Sequence, residues 1–143
     1  MKAIASTNIR VIFTAAALLF SDAAAAAVNP NSVLDIFKEV SGSLKSGDAD
    51  NKLTAHFAPS VNLRILATEK TCSAQQATVA VKEFFLQHKP ANFTMLHVGS
   101  KANKHYGIGL LTTGGGRFRV TVFLLINDAN SYDIQQLYID YED

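Results

Sequence analysis

Four side chains in the second half of the chain could do acid–base chemistry together: His97, Tyr106, Tyr138 and Asp140. An imidazole, two phenols and a carboxylate form a general acid–base site when they converge in an apolar cavity. A second stretch, TTGGGRFRV from Thr112 to Val120, sets three glycines just ahead of Arg117 and Arg119. Such glycines cradle phosphate where a strand hands over to a helix, whose N-terminal amides and dipole complete the site. Here they are followed by RFRVTVFLLIN, rich in β-branched and aromatic residues, and no Gly-Lys-Ser/Thr is present. The stretch reads as a hairpin tip, and nucleotide chemistry is set aside.

Other chemistries find less support. His56, His88, His97 and His105 have no metal-ligand spacing among themselves, so neither metal nor other cofactor is expected. There is no serine nucleophile elbow. Cys72 is the single cysteine; it closes no intramolecular disulfide and reads as a small, half-buried residue.

The chain opens with what looks like an export signal. Met1 to Arg10 carries Lys2 and Arg10 and no acid, Val11 to Phe20 is an apolar run, and SDAAAAA offers small-residue cleavage registers. The run is too short to span a bilayer and suits a signal-peptide core. The expected division is therefore a signal peptide, 1–27, cut between Ala25 and Ala27, and one domain, 28–143, delivered to the periplasm or secreted. Removing Lys2, Arg10 and Asp22 from 13 basic and 12 acidic residues leaves eleven of each, a net charge of zero. A nucleic-acid partner calls for a basic face, and none is present. No segment after the signal approaches transmembrane length, so no membrane partner is expected. About 116 residues can bury roughly two thirds of their surface without disulfide or metal.

The domain divides into a helical first half and a strand-rich second half. Val33, Ile36, Phe37, Val40 and Leu44 form a helical stripe, with Ser32 and Asp35 as its capping box and Gly47 as its stop. A short helix is expected over Asp50 to Ala58, ended by Pro59, then a strand over Val61 to Ala67. Ser73 and Gln76 cap a third helix to His88, whose apolar face is Ala77, Ala80, Val81, Phe84 and Phe85. Four strands follow, Asn92 to Val98, His105 to Thr113, Arg117 to Asn127 and Tyr132 to Tyr141, and short loops make them an antiparallel meander.

This α+β order, at this length, resembles the cone-shaped folds of the nuclear transport factor 2-like superfamily. The segments LKSGDADNKLTAHFAPSVNLRIL, VKEFFLQHKPANFTMLHVGS, YGIGLLTTGGGRFRVTVFLL and DIQQLYIDYED resemble a family of small exported bacterial proteins of unknown function with that fold. The resemblance runs from about Pro30 to Asp143. It implies helices packed on a curved antiparallel sheet and carries no catalytic motif; the superfamily holds isomerases, dehydratases, transport factors and dimerisation modules alike.

Within such a cone, a three-residue loop Gly114 to Gly116 pairs Thr113 with Arg117, Leu110 with Val120, Ile108 with Val122 and Tyr106 with Leu124. A six-residue loop Gly99 to Lys104 then sets His97 beside Tyr106, Met95 beside Ile108 and Phe93 beside Leu110. His97 and Tyr106 become polar tips over an apolar cone floor, the form of a site for a small apolar molecule. The last strand admits two facings: Tyr138 and Asp140 inward, completing an acid–base set, or Leu137 and Ile139 inward, which burial favours. The opposite face carries Arg119, Thr121, Phe123 and Leu125, a mixed apolar and basic strip suited to a homodimer or another partner. The expected function is a non-catalytic binding or interaction module; the alternative is a small isomerase- or dehydratase-type enzyme working in the cone.

Overall fold

Helix α1, Pro30–Ser46, buries the whole stripe of Val33, Ile36, Phe37, Val40 and Leu44. The computed structural model describes residues 30–50 and 52–143, so the expected export signal, 1–27, lies outside the described residues. The helix already runs at Pro30, which corrects the expected Ser32–Asp35 cap: Ser32 lies inside the helix. Proline suits a first turn because its missing N–H has no intrahelical partner to lose. At the other end Gly47 has φ 78°, and its N–H and that of Asp48 both donate to Ser43 O, at 2.9 and 3.1 Å. That left-handed stop is the glycine's purpose.

Helix α2 spans only Lys52–His56, because Phe57, Ala58 and Pro59 belong to strand β1, Phe57–Ile65. The expected longer helix gives way since Phe57 and Ala58 gain burial in the sheet. Pro59 is tolerated there because the pairing shifts register between Phe57 and Asn62, so the missing N–H breaks no regular ladder. Strand β2, Thr68–Ser73, was not foreshadowed. TEKTCS shows no apolar alternation, and it is an edge strand with only Cys72 buried. Helix α3, Ala74–Gln87, starts on the expected box: Ser73 Oγ accepts from Gln76 N at 3.1 Å and Gln76 Oε1 accepts from Ser73 N at 3.0 Å.

Strands β3, Pro90–Lys101, β4, Lys104–Thr113, β5, Gly116–Ile126, and β6, Tyr132–Tyr141, make the expected meander. The six-stranded sheet has the order β2-β1-β6-β5-β4-β3. It is mixed, because β1 runs parallel to β6 while the other pairs are antiparallel. All three helices lie on one face, over Leu63, Leu111, Phe118, Val120, Val122, Leu124, Leu137 and Ile139. Full burial of each such side chain contributes about 1.5–3 kcal/mol.

Both expected hairpin registers are corrected, β4–β5 by one residue and β3–β4 by two residues near its loop and by one beyond the bulge. Thr113 pairs with Gly116, Leu111 with Phe118, Gly109 with Val120 and Gly107 with Val122, closing a two-residue loop, Gly114–Gly115. Thr113 Oγ1 stitches that loop by accepting from Gly115 N at 3.2 Å and donating to Gly116 O at 2.9 Å. The β3–β4 loop is likewise two residues, Ala102–Asn103, with Met95 opposite Gly109, Phe93 opposite Leu111 and a bulge between Met95 and His97. The reason lies under the helices. A Cβ on Gly107 would stand 3.0 Å from the Phe37 ring, and one on Gly109 would stand 2.2 Å from the Phe93 ring. Only a glycine-bearing face of β4 leaves room for those two rings. Ile108, Leu110 and Tyr106 therefore turn to the opposite face.

Helices α1 and α2 are latched by His56 Nε2 against Glu39 Oε1 at 2.7 Å. The hydrogen bond from His56 holds the Glu39 carboxyl below its ordinary value of 4.5. A carboxyl lowered on folding stabilises the fold above its unfolded pKa and loses that contribution as pH falls through the lowered value. The melting-temperature difference between the wild type and Glu39→Gln is therefore expected near neutral pH and to close on acidification below 4.5; a difference that ignores pH refutes the latch. Chemical denaturation tests the register: Gly109→Ala is expected to cost about 1–3 kcal/mol by overpacking, whereas Gly114→Ala, with nothing within 4 Å of the new carbon, is expected to be near neutral.

Candidate functional site

The register shifts decide where the chemistry-bearing side chains go. His97 and Tyr106 are still neighbours, Nε2 to Oη 3.3 Å with ring centroids 5.6 Å apart, but they stand on the face away from the helices. Leu137 and Ile139 are buried under the helices, so Tyr138 and Asp140, which alternate with them, share that outer face. The expected cone pocket built from His97, Tyr106, Tyr138 and Asp140 is thereby corrected: none of the four enters the cone. The imidazole that turns inward on β4 is His105, edge-on to Tyr132 at 5.1 Å. With both registers misplaced, sequence reasoning chose the wrong histidine.

On the outer face these side chains form a continuous row. Ring centroids are 6.2 Å apart for Tyr106 and Phe123, and 6.0 Å for Phe123 and Tyr138. The Arg64 guanidinium lies 4.0 Å over the Tyr138 ring and grips Asp140 with two bonds, Nε to Oδ1 at 3.0 Å and Nη2 to Oδ2 at 2.8 Å. The bond from Asp140 raises the Arg64 pKa further, fixing the charge. Tyr138 Oη accepts from Asn62 Nδ2 at 3.2 Å and from Gln136 Nε2 at 2.9 Å. Thus a row of His97, Tyr106, Phe123, Tyr138 and Arg64 crosses five strands, from β3 to β1. Asn62, Arg64 and Gln136 were missed because β1 pairs with β6 in parallel across more than seventy residues, with no turn to announce it. The alternation of VNLRILA did place Asn62 and Arg64 away from the core.

The expected partner strip joins this row. Arg119 is exposed and meets Glu142 at 3.0 Å, while Thr121, Phe123 and Leu125 are half-buried. Half-buried Ile108 and Leu110 lie beside Thr121 and Arg119. The face is apolar and aromatic in the middle, and its edges alternate Arg64, Arg119 and Lys104 with Glu69, Asp133, Asp140 and Glu142. Among the described residues no cluster of three or more His, Cys, Asp or Glu could hold a metal, and no helix is long and apolar enough to cross a membrane.

Helices gathered on one face of a curved mixed sheet, with the other face bare, make a nuclear transport factor 2-like fold. An NTF-2 like protein of unknown function from Silicibacter pomeroyi DSS-3 shares the fold at TM-score 0.55 and 12% identity, over 78% of this chain and 94% of that one. Residues 37–140 match the family described as Domain of unknown function (DUF4783), and the chain belongs to it. The structure of a DUF4783 family protein from Bacteroides ovatus ATCC 8483 is 32% identical at TM-score 0.69, over 73% of this chain and 94% of that one. One from Bacteroides uniformis ATCC 8492 is 30% identical at TM-score 0.69, over 74% and 96%. No curated protein matches the chain.

The Arg64 clamp is testable as a unit. Arg64→Lys keeps the charge but gives up the two-pronged grip and the stacking on Tyr138. A double-mutant cycle with Asp140→Asn is expected to give a coupling of about 0.5–1 kcal/mol, modest because both side chains are a third exposed. Zero coupling shows the pair to be ornamental.

Proposed function

We propose that this is an exported, non-catalytic interaction module whose working surface is the outer sheet face, and that its partner there is a second copy of the same chain. The observation that carries the reading is the uncovered row of Tyr106, Phe123 and Tyr138, flanked by Ile108, Leu110 and Leu125. Apolar side chains gathered on a face that no helix covers gain free energy by meeting another surface. Charge supports a like partner. The rim carries both signs, with Arg64 and Arg119 already paired to Asp140 and Glu142 within the chain, so a second copy meets no large field of one sign. Export rests on the basic, apolar and small-residue segments that precede the domain. A cone-pocket enzyme loses its support with the outward turn of His97, Tyr106, Tyr138 and Asp140.

The test is mass in solution. Sedimentation equilibrium of residues 28–143 is expected to show a concentration-dependent dimer at micromolar protein. Phe123→Asp is expected to be monomeric with an unchanged circular dichroism spectrum, because it plants unpaired charge at the centre of the face. A wild type that stays monomeric, or a variant that dimerises equally well, overturns the proposal.

A further inference from the structure

On the opposite side of the sheet, a groove runs along the flank of α3 where it meets the β1–β2 hairpin. One end is polar, bordered by Ser73, Gln75, Gln76 and Val79. The other deepens into a cavity of about 230 Å³ floored by Leu63, Ile65, Leu66, Ala80 and Phe84. Lys70 and Glu83 border both parts and so stand where the apolar cup meets the polar channel. Strand register brings Lys70 there: it pairs with Leu63, whose side chain is buried on the helix-covered face. Neither Lys70 nor Glu83 has an ion-pair partner among the described residues. His88 closes the far wall, stacked on Phe84 at 4.7 Å and edge-on to Phe118 at 4.9 Å.

The β1–β2 turn lends a wall to the same cup. The β1–β2 turn is Leu66–Ala67, and Leu66 has φ 55°, held there while its N–H donates to Ile139 O at 2.8 Å. A left-handed leucine costs about 1–2 kcal/mol where Gly or Asn would sit almost free. What the leucine adds in return is an apolar wall for the cavity.

We infer that this cup binds a small apolar α-amino acid as its zwitterion, with the side chain against Leu63, Leu66 and Phe84, the carboxylate on Lys70 and the ammonium on Glu83. The volume lies just under the roughly 300–1,000 Å³ of pockets for drug-sized ligands, which suits a single branched or aromatic side chain. Opposite charges at one mouth select against simple fatty acids and simple amines, each of which would leave one charge unanswered or repelled. The site is independent of the outer face, so it stands or falls apart from dimerisation.

The experiment is a titration of ¹⁵N-labelled residues 28–143 with L-leucine, followed by amide shifts, with N-acetyl-L-leucine and L-leucinamide as comparators. Saturable shifts centred on Leu63, Ala80 and Phe84 are expected with L-leucine. Each capped form, and each of the surface variants Lys70→Gln and Glu83→Gln, is expected to bind about tenfold more weakly, the worth of one charge-assisted hydrogen bond. Leu66→Asn, which keeps a left-handed turn residue, is expected to lose binding while its melting temperature shows the fold intact. Absence of saturable shifts with L-leucine, equal binding of the capped forms, or undiminished binding by Leu66→Asn overturns the inference.

Discussion

The close approach of the Phe37 and Phe93 rings to the backbone of β4 is the constraint on which the rest of the structure depends. Gly107 and Gly109 leave the space these rings occupy; a Cβ on Gly109 would collide with Phe93, and one on Gly107 would crowd Phe37. Once the glycines must face the helices, every neighbour on β4 has its side assigned, since strand side chains alternate. Tyr106, Ile108 and Leu110 go outward, His105 goes inward, and both flanking hairpins close with two-residue loops. The composition of the outer face follows from a packing requirement on the inner one.

That division gives the two faces different kinds of surface. Beneath the helices, side chains are sealed at the middle of the sheet and open at its flank, where α3 and the β1–β2 hairpin leave a small cup with charged edges. On the bare face, half-buried aromatic and aliphatic groups shield one another, and Arg64 organises the β1–β6 side through stacking and a two-pronged grip. The arginines after the triple glycine share this arrangement: Arg119 meets Glu142 at the margin of the aromatic row. Their role is to frame a surface, with no phosphate cradle behind them.

Much of the architecture was legible because the local signals were strong. Periodicity marked α1 and α3, the Ser73–Gln76 box marked the start of α3, a β-branched and aromatic run marked β5, and short polar or glycine-rich loops marked off the four meander strands. What misled was the treatment of glycine. Leu110 and Ile108 look like better core residues than Gly107 and Gly109, so a hydrophobic count chooses the other face of β4. Burial in the folded protein is set by volume as well as by hydrophobicity, and at this place Phe37 of α1 and Phe93 of β3 supply the bulk. Strand β2 was illegible for a related reason: an exposed edge strand needs no apolar face.

The sequence by itself determined the elements other than β2, their order, the meander, the family and the facing of β5, because these rest on interactions a few residues apart or on long uniform alternations. Only the tertiary structure decided the facing of β4, the parallel seating of β1 on β6 and the company that Tyr138 and Asp140 keep. Those depend on which ring meets which backbone across the sheet, a steric fit between distant segments that local propensity does not encode.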